Sequence, residues 1–259
     1  SEHKHVMLYA HGGLNSIKAS AKRIAAMKDT FLKNEVYPIH FMYDTGMLEE
    51  LKDILGFKNQ ELSNKVGAFT DYTDRILEWA TRKVGGALWR EMKSDACTPF
   101  TRVTSDGTYF LTRLADYLKN STHIQLHIVG HSAGSIFQAH SLARLFKIDE
   151  TLKVDSLHLM APAISYPLFN ETLAPLIESE HIASTTVYNL SGPLEKDDHV
   201  ARIYQKSLLY LVSNAFESKT AMPLLGMAAF NAPIANVTFK YSEGKEGDST
   251  AATSHGGFD

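Results

Sequence analysis

Gly130-His131-Ser132-Ala133-Gly134 is a Gly-x-Ser-x-Gly pentapeptide. It falls between an apolar run, 124–129, and a helical pattern that begins at Ala133. A serine in such a strand-to-helix turn is forced into a strained backbone conformation that exposes its Oγ. The helix N-terminus that follows favours negative charge developing beside it. Small residues at 130 and 134 remove side chains that would clash at so tight a turn. The chemistry this suggests is nucleophilic attack by Ser132 on an acyl carbon.

A serine hydroxyl is a weak nucleophile until a base takes its proton. Among the 12 histidines, His127 and His158 fall in strand patterns, and His3, His5, His123 and His181 read as surface or loop residues. His255 stands apart in Ser254-His255-Gly256-Gly257-Phe258, after the last strand pattern. It is the expected base, with His199 second. A third group must accept from the imidazole and hold its tautomer. Three carboxylates follow the strand pattern at 185–190: Glu195, Asp197 and Asp198. Asp198 is favoured because packing resumes just after it, and the other two remain open. Any of the three also suits the N-terminus of the next helix.

Acyl transfer places negative charge on the carbonyl oxygen, which fixed N–H groups stabilise. The N–H of Ala133 is one expected donor. Gly13 or Leu14, in His11-Gly12-Gly13-Leu14 after the first apolar run, is the expected second. The lone cysteine, Cys97 in Ala96-Cys97-Thr98-Pro99, has no recognisable nucleophile context and reads as a packed thiol.

Three stretches together resemble the α/β-hydrolase superfamily, its serine-esterase and lipase branch above all. His11-Gly12-Gly13-Leu14 is similar to that family's oxyanion loop, Gly130–Gly134 to its nucleophile elbow and His255-Gly256-Gly257-Phe258 to its histidine loop. The order serine, acid, histidine also matches. The resemblance implies a mostly parallel sheet and hydrolysis of a carboxylic ester through an acyl-enzyme, without cofactor or metal. Thioesterase, amidase or peptidase activity would use the same machinery, and a non-catalytic binding protein on the same fold is a further reading. The chain departs from the family pattern in three ways. Its first strand would be the family's third, four residues follow His255, and the acid loop is long and rich in carboxylates.

The elements that must position these residues are legible from periodicity. Strands are expected at 6–10, 36–43, 124–129, 157–160, 185–190 and 236–241. Helices are expected at 16–33, 106–119, 133–146 and 200–216. Strand–helix alternation predicts an α/β class with helices on both faces of a mostly parallel sheet. The stretch 44–106 breaks the alternation with helical spacing alone, at Leu48, Leu51, Ile54 and Leu55, at Ile76, Leu77, Ala80 and Val84, and at Leu88, Trp89 and Met92. It is expected to be an inserted helical cap or lid on a core made of 1–43 and 107–259. Phe69, Trp79 and Trp89 are candidates to line a substrate pocket beneath it or to pack the cap's own core.

Composition sets the outer bounds. The chain has 259 residues, 44% hydrophobic and 21% charged, with a formal net charge of -3. That is ordinary for a globular domain, and no dense basic run points to nucleic acid. A single cysteine forms no internal disulfide. Without an evident signal peptide or an apolar run of membrane-spanning length, the expected setting is the cytoplasm. The expected partner is a small-molecule ester.

Overall fold

The computed structural model describes residues 3–13, 17–42, 71–198, 200, 204–244 and 252–258. Six strands form one sheet: β1 (His5–Ala10), β2 (Val36–Phe41), β3 (Gln125–His131), β4 (Ser156–Met160), β5 (Thr185–Leu190) and β6 (Val237–Ser242). Every pairing is parallel, in the order β2-β1-β3-β4-β5-β6. Parallel strands covered on both faces read as continuous apolar runs. Accordingly Leu8, Ile128, Leu157, Leu159 and Val187 are fully buried. Pro38 lies in β2 at the sheet edge, where a missing backbone donor is tolerated. The protein is thus α/β, with a six-stranded, all-parallel sheet.

Eight α-helices are described: α1 (Ile17–Lys33), α2 (Asp71–Cys97), α3 (Asp106–Lys119), α4 (Gly134–Ile148), α5 (Tyr166–Thr172), α6 (Ala174–Glu178), α7 (Gly192–Asp197) and α8 (Leu208–Leu211). The chain runs from β1 outward to β2, then back past β1 to β3 and on to β6 in the other direction. Right-handed crossovers therefore put α1 on one face and the later helices on the other. In keeping with this, α4 packs on β1 and β3 and against α2, α3 and α5, while α1 packs on β2. The direction reverses between β1 and β3. In open α/β sheets the crevice beyond the strand ends at such a point is where ligands bind.

Several sequence expectations differ from what is observed. The helical spacing at 76–92 is carried by one continuous helix, α2. Its Leu77, Trp89, Met92 and Ala96 join the same core as α4 and the sheet. Trp89 also donates from Nε1 to the buried carboxylate of Glu217 at 2.7 Å, whereas Trp79 is 79% exposed. Of the cap or lid expected over 44–106, the part 44–70, with Phe69, lies outside the described residues. The helix expected over 200–216 is not a single helix. Val200 and Tyr204 bond each other's backbones as an isolated antiparallel bridge, and α8 and a π-helical turn, Val212–Phe216, follow. Tertiary bonds win over local propensity here, because the buried Tyr204 hydroxyl donates to Glu78 at 2.6 Å. The Ser207 N–H donates to the carbonyl of Glu195 at 2.7 Å. The stretch 162–179, which carries no strand or helix expectation, contains α5 and α6, each opened by a proline in its first turn. Among the described residues no helix is long and apolar enough to cross a membrane.

Candidate active site

The register places the loop after β1 beside the elbow after β3. Ala10 pairs with Gly130, and His131 pairs with Met160 of β4. Ser132 follows at once with φ of 51°, in the left-handed region that a non-glycine residue enters only under constraint. The constraint is visible. The Ser132 N–H donates to Met160 O at 2.9 Å, and the Ser132 carbonyl accepts from Ala163 N–H at 3.0 Å. The Ser135 hydroxyl donates to that same carbonyl at 2.6 Å. Beneath the elbow, a Cβ on Gly134 would lie 2.1 Å from the Ala10 carbonyl oxygen, so only glycine fits there.

The strained turn aims Ser132 at the far end of the chain. Its Oγ lies 2.9 Å from Nε2 of His255, which opens a short 3-10 turn, His255–Phe258. Ser132 is 6% exposed and His255 8%. Low accessibility favours proton transfer between them, because water does not compete for either group and local electrostatic interactions are stronger. The other candidate base, His199, lies outside the described residues.

The three candidate acids part company in the structure. Asp198 Oδ2 accepts the main-chain N–H of His255 at 2.8 Å. Asp197 is exposed to solvent. Glu195 turns inward, is 1% exposed and accepts from Ala228 N–H at 3.0 Å. Burial pushes the Glu195 carboxyl up to about 7, helped by the nearby Asp198 charge and opposed by the Ala228 bond. It is a buried acid behind the site, while Asp198 is the carboxylate that touches the histidine residue.

On the other side of the serine is the loop after β1. The His11 Nδ1–H donates to the Gly12 carbonyl at 2.7 Å and the ring is buried. A Cβ on Gly12 would meet Ser132 Cβ at 3.2 Å and His131 Nδ1 at 2.9 Å. The glycine lets this backbone come against Ser132. Gly13 is buried beside it, and Leu14 lies outside the described residues. Ala133, 1% exposed, takes up helical angles as the cap of α4, so its N–H stands at the helix N-terminus directly after Ser132.

Sequence reasoning missed His131 as more than a spacer in the pentapeptide. Its Nε2–H donates to the carbonyl of His255 at 3.1 Å. Nothing in the local pattern signals a bond that spans so much of the chain. Ser242, at the end of β6, was missed for the same reason: its hydroxyl donates to the Ala252 carbonyl in the histidine loop. Cys97 is half-buried at the end of α2. Among the described residues no cluster of three or more His, Cys, Asp or Glu side chains is arranged to hold a metal ion.

No protein-family model matches this chain, and no curated protein matches it. Among solved structures, the chain is similar to a crystal structure of an uncharacterized protein from Bacillus cereus ATCC 10987, with a TM-score of 0.36 and 13% identity over 73% of this chain. The match spans 43% of that protein, less than half its length.

Proposed function

We propose that this protein is a serine hydrolase of the α/β-hydrolase fold that cleaves carboxylic esters through an acyl-enzyme on Ser132. The observation that carries the reading is the 2.9 Å approach of Ser132 Oγ to His255 Nε2 at a left-handed turn between a parallel strand and a helix. Supporting it are the position of that turn at the reversal of sheet order, the carboxylate of Asp198 against His255, and the glycine loop against Ser132.

In this reading His255 Nε2 takes the Ser132 proton as Oγ bonds to the ester carbon. The carbonyl oxygen becomes an oxyanion, held by the N–H of Ala133 and a donor from Gly13 or Leu14. The tetrahedral species collapses, the alkoxide leaves with the proton from His255, and the acyl group stays on Ser132. Water, deprotonated by His255, then attacks the acyl-enzyme; the carboxylic acid departs and Ser132 recovers its proton. Asp198 carries the negative charge that favours the imidazolium in both transition states. Side chains and backbone supply every step, so the reading calls for no metal or organic cofactor. The test is hydrolysis of a short-chain nitrophenyl ester by the wild type and by Ser132→Ala. Turnover by the wild type alone supports the reading, and equal background rates for both remove it.

A further inference from the structure

His255 is held by two consecutive residues of the elbow. Ser132 meets its imidazole at 2.9 Å, and His131 donates to its carbonyl at 3.1 Å. We propose that His131 is a positioning residue, which fixes the distance between nucleophile and base by tying the histidine loop to the rigid elbow. The inference rests on the hydrolase reading for its catalytic meaning, although the anchoring itself does not.

The argument begins with the difference between the two pieces being joined. The elbow is over-determined by the bonds to Met160 O, Ala163 N and Ser135 Oγ described above. The histidine loop is short and irregular, and its internal backbone bond runs from Gly257 N–H to Ser254 O. Such a loop does not hold an imidazole to a fraction of an ångström by itself, and catalytic geometry needs that precision. Side chains from elsewhere supply it. Asp198 grips the N–H of His255 and His131 grips its carbonyl, so the residue is clamped through both of its main-chain polar groups. Ser242 holds the loop three residues earlier, at Ala252.

The His131 ring is itself confined. It is 4% exposed and lies 5.4 Å from the His255 ring at 36°. The Gly12 backbone presses on its Nδ1 side so closely that a Cβ there would sit at 2.9 Å. One ring thus touches the oxyanion loop and the histidine loop, and it is covalently next to the nucleophile. Packing alone at so buried a position is served better by leucine, since burying an imidazole costs free energy unless its polar atoms are bonded. The donor at Nε2 is the property that leucine lacks.

The test compares His131→Leu, which fills the space without a donor, with His131→Gln, whose Nε2 reaches a similar point and still donates. Hydrolysis of a short-chain nitrophenyl ester is measured with amide hydrogen exchange of 252–258 in the same proteins. The expected result for His131→Leu is a fall in kcat of about 100-fold with KM within about threefold, and faster exchange confined to 252–258. His131→Gln is expected to recover most of kcat and the slow exchange. Unchanged kcat and exchange in His131→Leu overturn the proposal. So does lost activity with unchanged exchange that glutamine fails to rescue, since that marks a role in packing. If the wild type hydrolyses nothing and its Ser132 resists acylating probes, the hydrolase reading fails; the exchange comparison still decides whether His131 anchors the loop.

Discussion

Asp198 Oδ2 accepts the main-chain N–H of His255 at 2.8 Å, which ties the loop after β5 to the end of the chain through the backbone of the histidine. The bond separates two functions of one carboxylate. Asp198→Asn keeps an oxygen that accepts this N–H but loses the charge. Asp198→Ala loses both. Both variants are expected to lower ester turnover by about 100-fold or more, because the imidazolium loses its counter-charge. Only Asp198→Ala is expected to lose about 2 kcal/mol of stability, the scale of a hydrogen bond to a charged group. Urea unfolding of the two variants beside their rates checks the division. Equal stability of both would show that the bond contributes little to folding.

Glu195 gives a prediction about pH. Its carboxyl is pushed up to about 7 in the folded protein from an ordinary 4.5. The unfolded chain gives up this proton near 4.5, whereas the folded protein holds it to about 7. Between these values the folded state binds more protons, so this group lowers stability as pH rises through the window. Above about 7 the loss is complete, at up to about 3 kcal/mol. Glu195→Gln keeps an oxygen for the Ala228 N–H and does not titrate. It is expected to match the wild type near pH 4.5 and to exceed its stability at pH 8, as measured by chemical denaturation at both values. The same pH slope in both proteins would contradict the assignment.

Two glycines close in sequence role should respond in opposite ways to alanine. A Cβ on Gly134 would lie 2.1 Å from a main-chain oxygen, while one on Gly256 meets nothing within 4 Å. Gly134→Ala is expected to cost about 3 kcal/mol or to prevent folding, since backbone must move. Gly256→Ala, beside the proposed base, is expected to stay within about 0.5 kcal/mol of the wild type. Thermal unfolding of the two variants checks this, and a tolerated Gly134→Ala would mean that the elbow is less tightly packed than the structure has it.

Ester turnover is expected to fall as the pH is lowered, because protonated His255 accepts no proton from Ser132. A rate profile from pH 8 to pH 5 checks it. A flat profile would remove His255 from the role of base.

What could be read from the sequence was what local pattern encodes. The strand runs, the helices at α1, α3 and α4, and the punctuation around Ser132 are each written within a few residues, so periodicity recovers them. The acid loop was read less well because Glu195, Asp197 and Asp198 differ in direction, not in type; only the fold turns Glu195 toward Ala228 and Asp198 toward His255. The stretch after Val200 has helical periodicity, yet the Tyr204 hydroxyl is held by Glu78 on a distant helix. The bond from His131 to His255 belongs to the same class. It joins positions 124 apart, and no spacing rule reaches that far.

The most direct measurement is covalent labelling with a fluorophosphonate probe, comparing the wild type with Ser132→Ala and His255→Ala and identifying the modified peptide by mass spectrometry. The account predicts a single adduct on Ser132 in the wild type, none on Ser132→Ala, and labelling slowed by about 1,000-fold or more in His255→Ala. A folded wild-type protein that takes up no probe, or one whose Ser132 labels equally fast without His255, would contradict it.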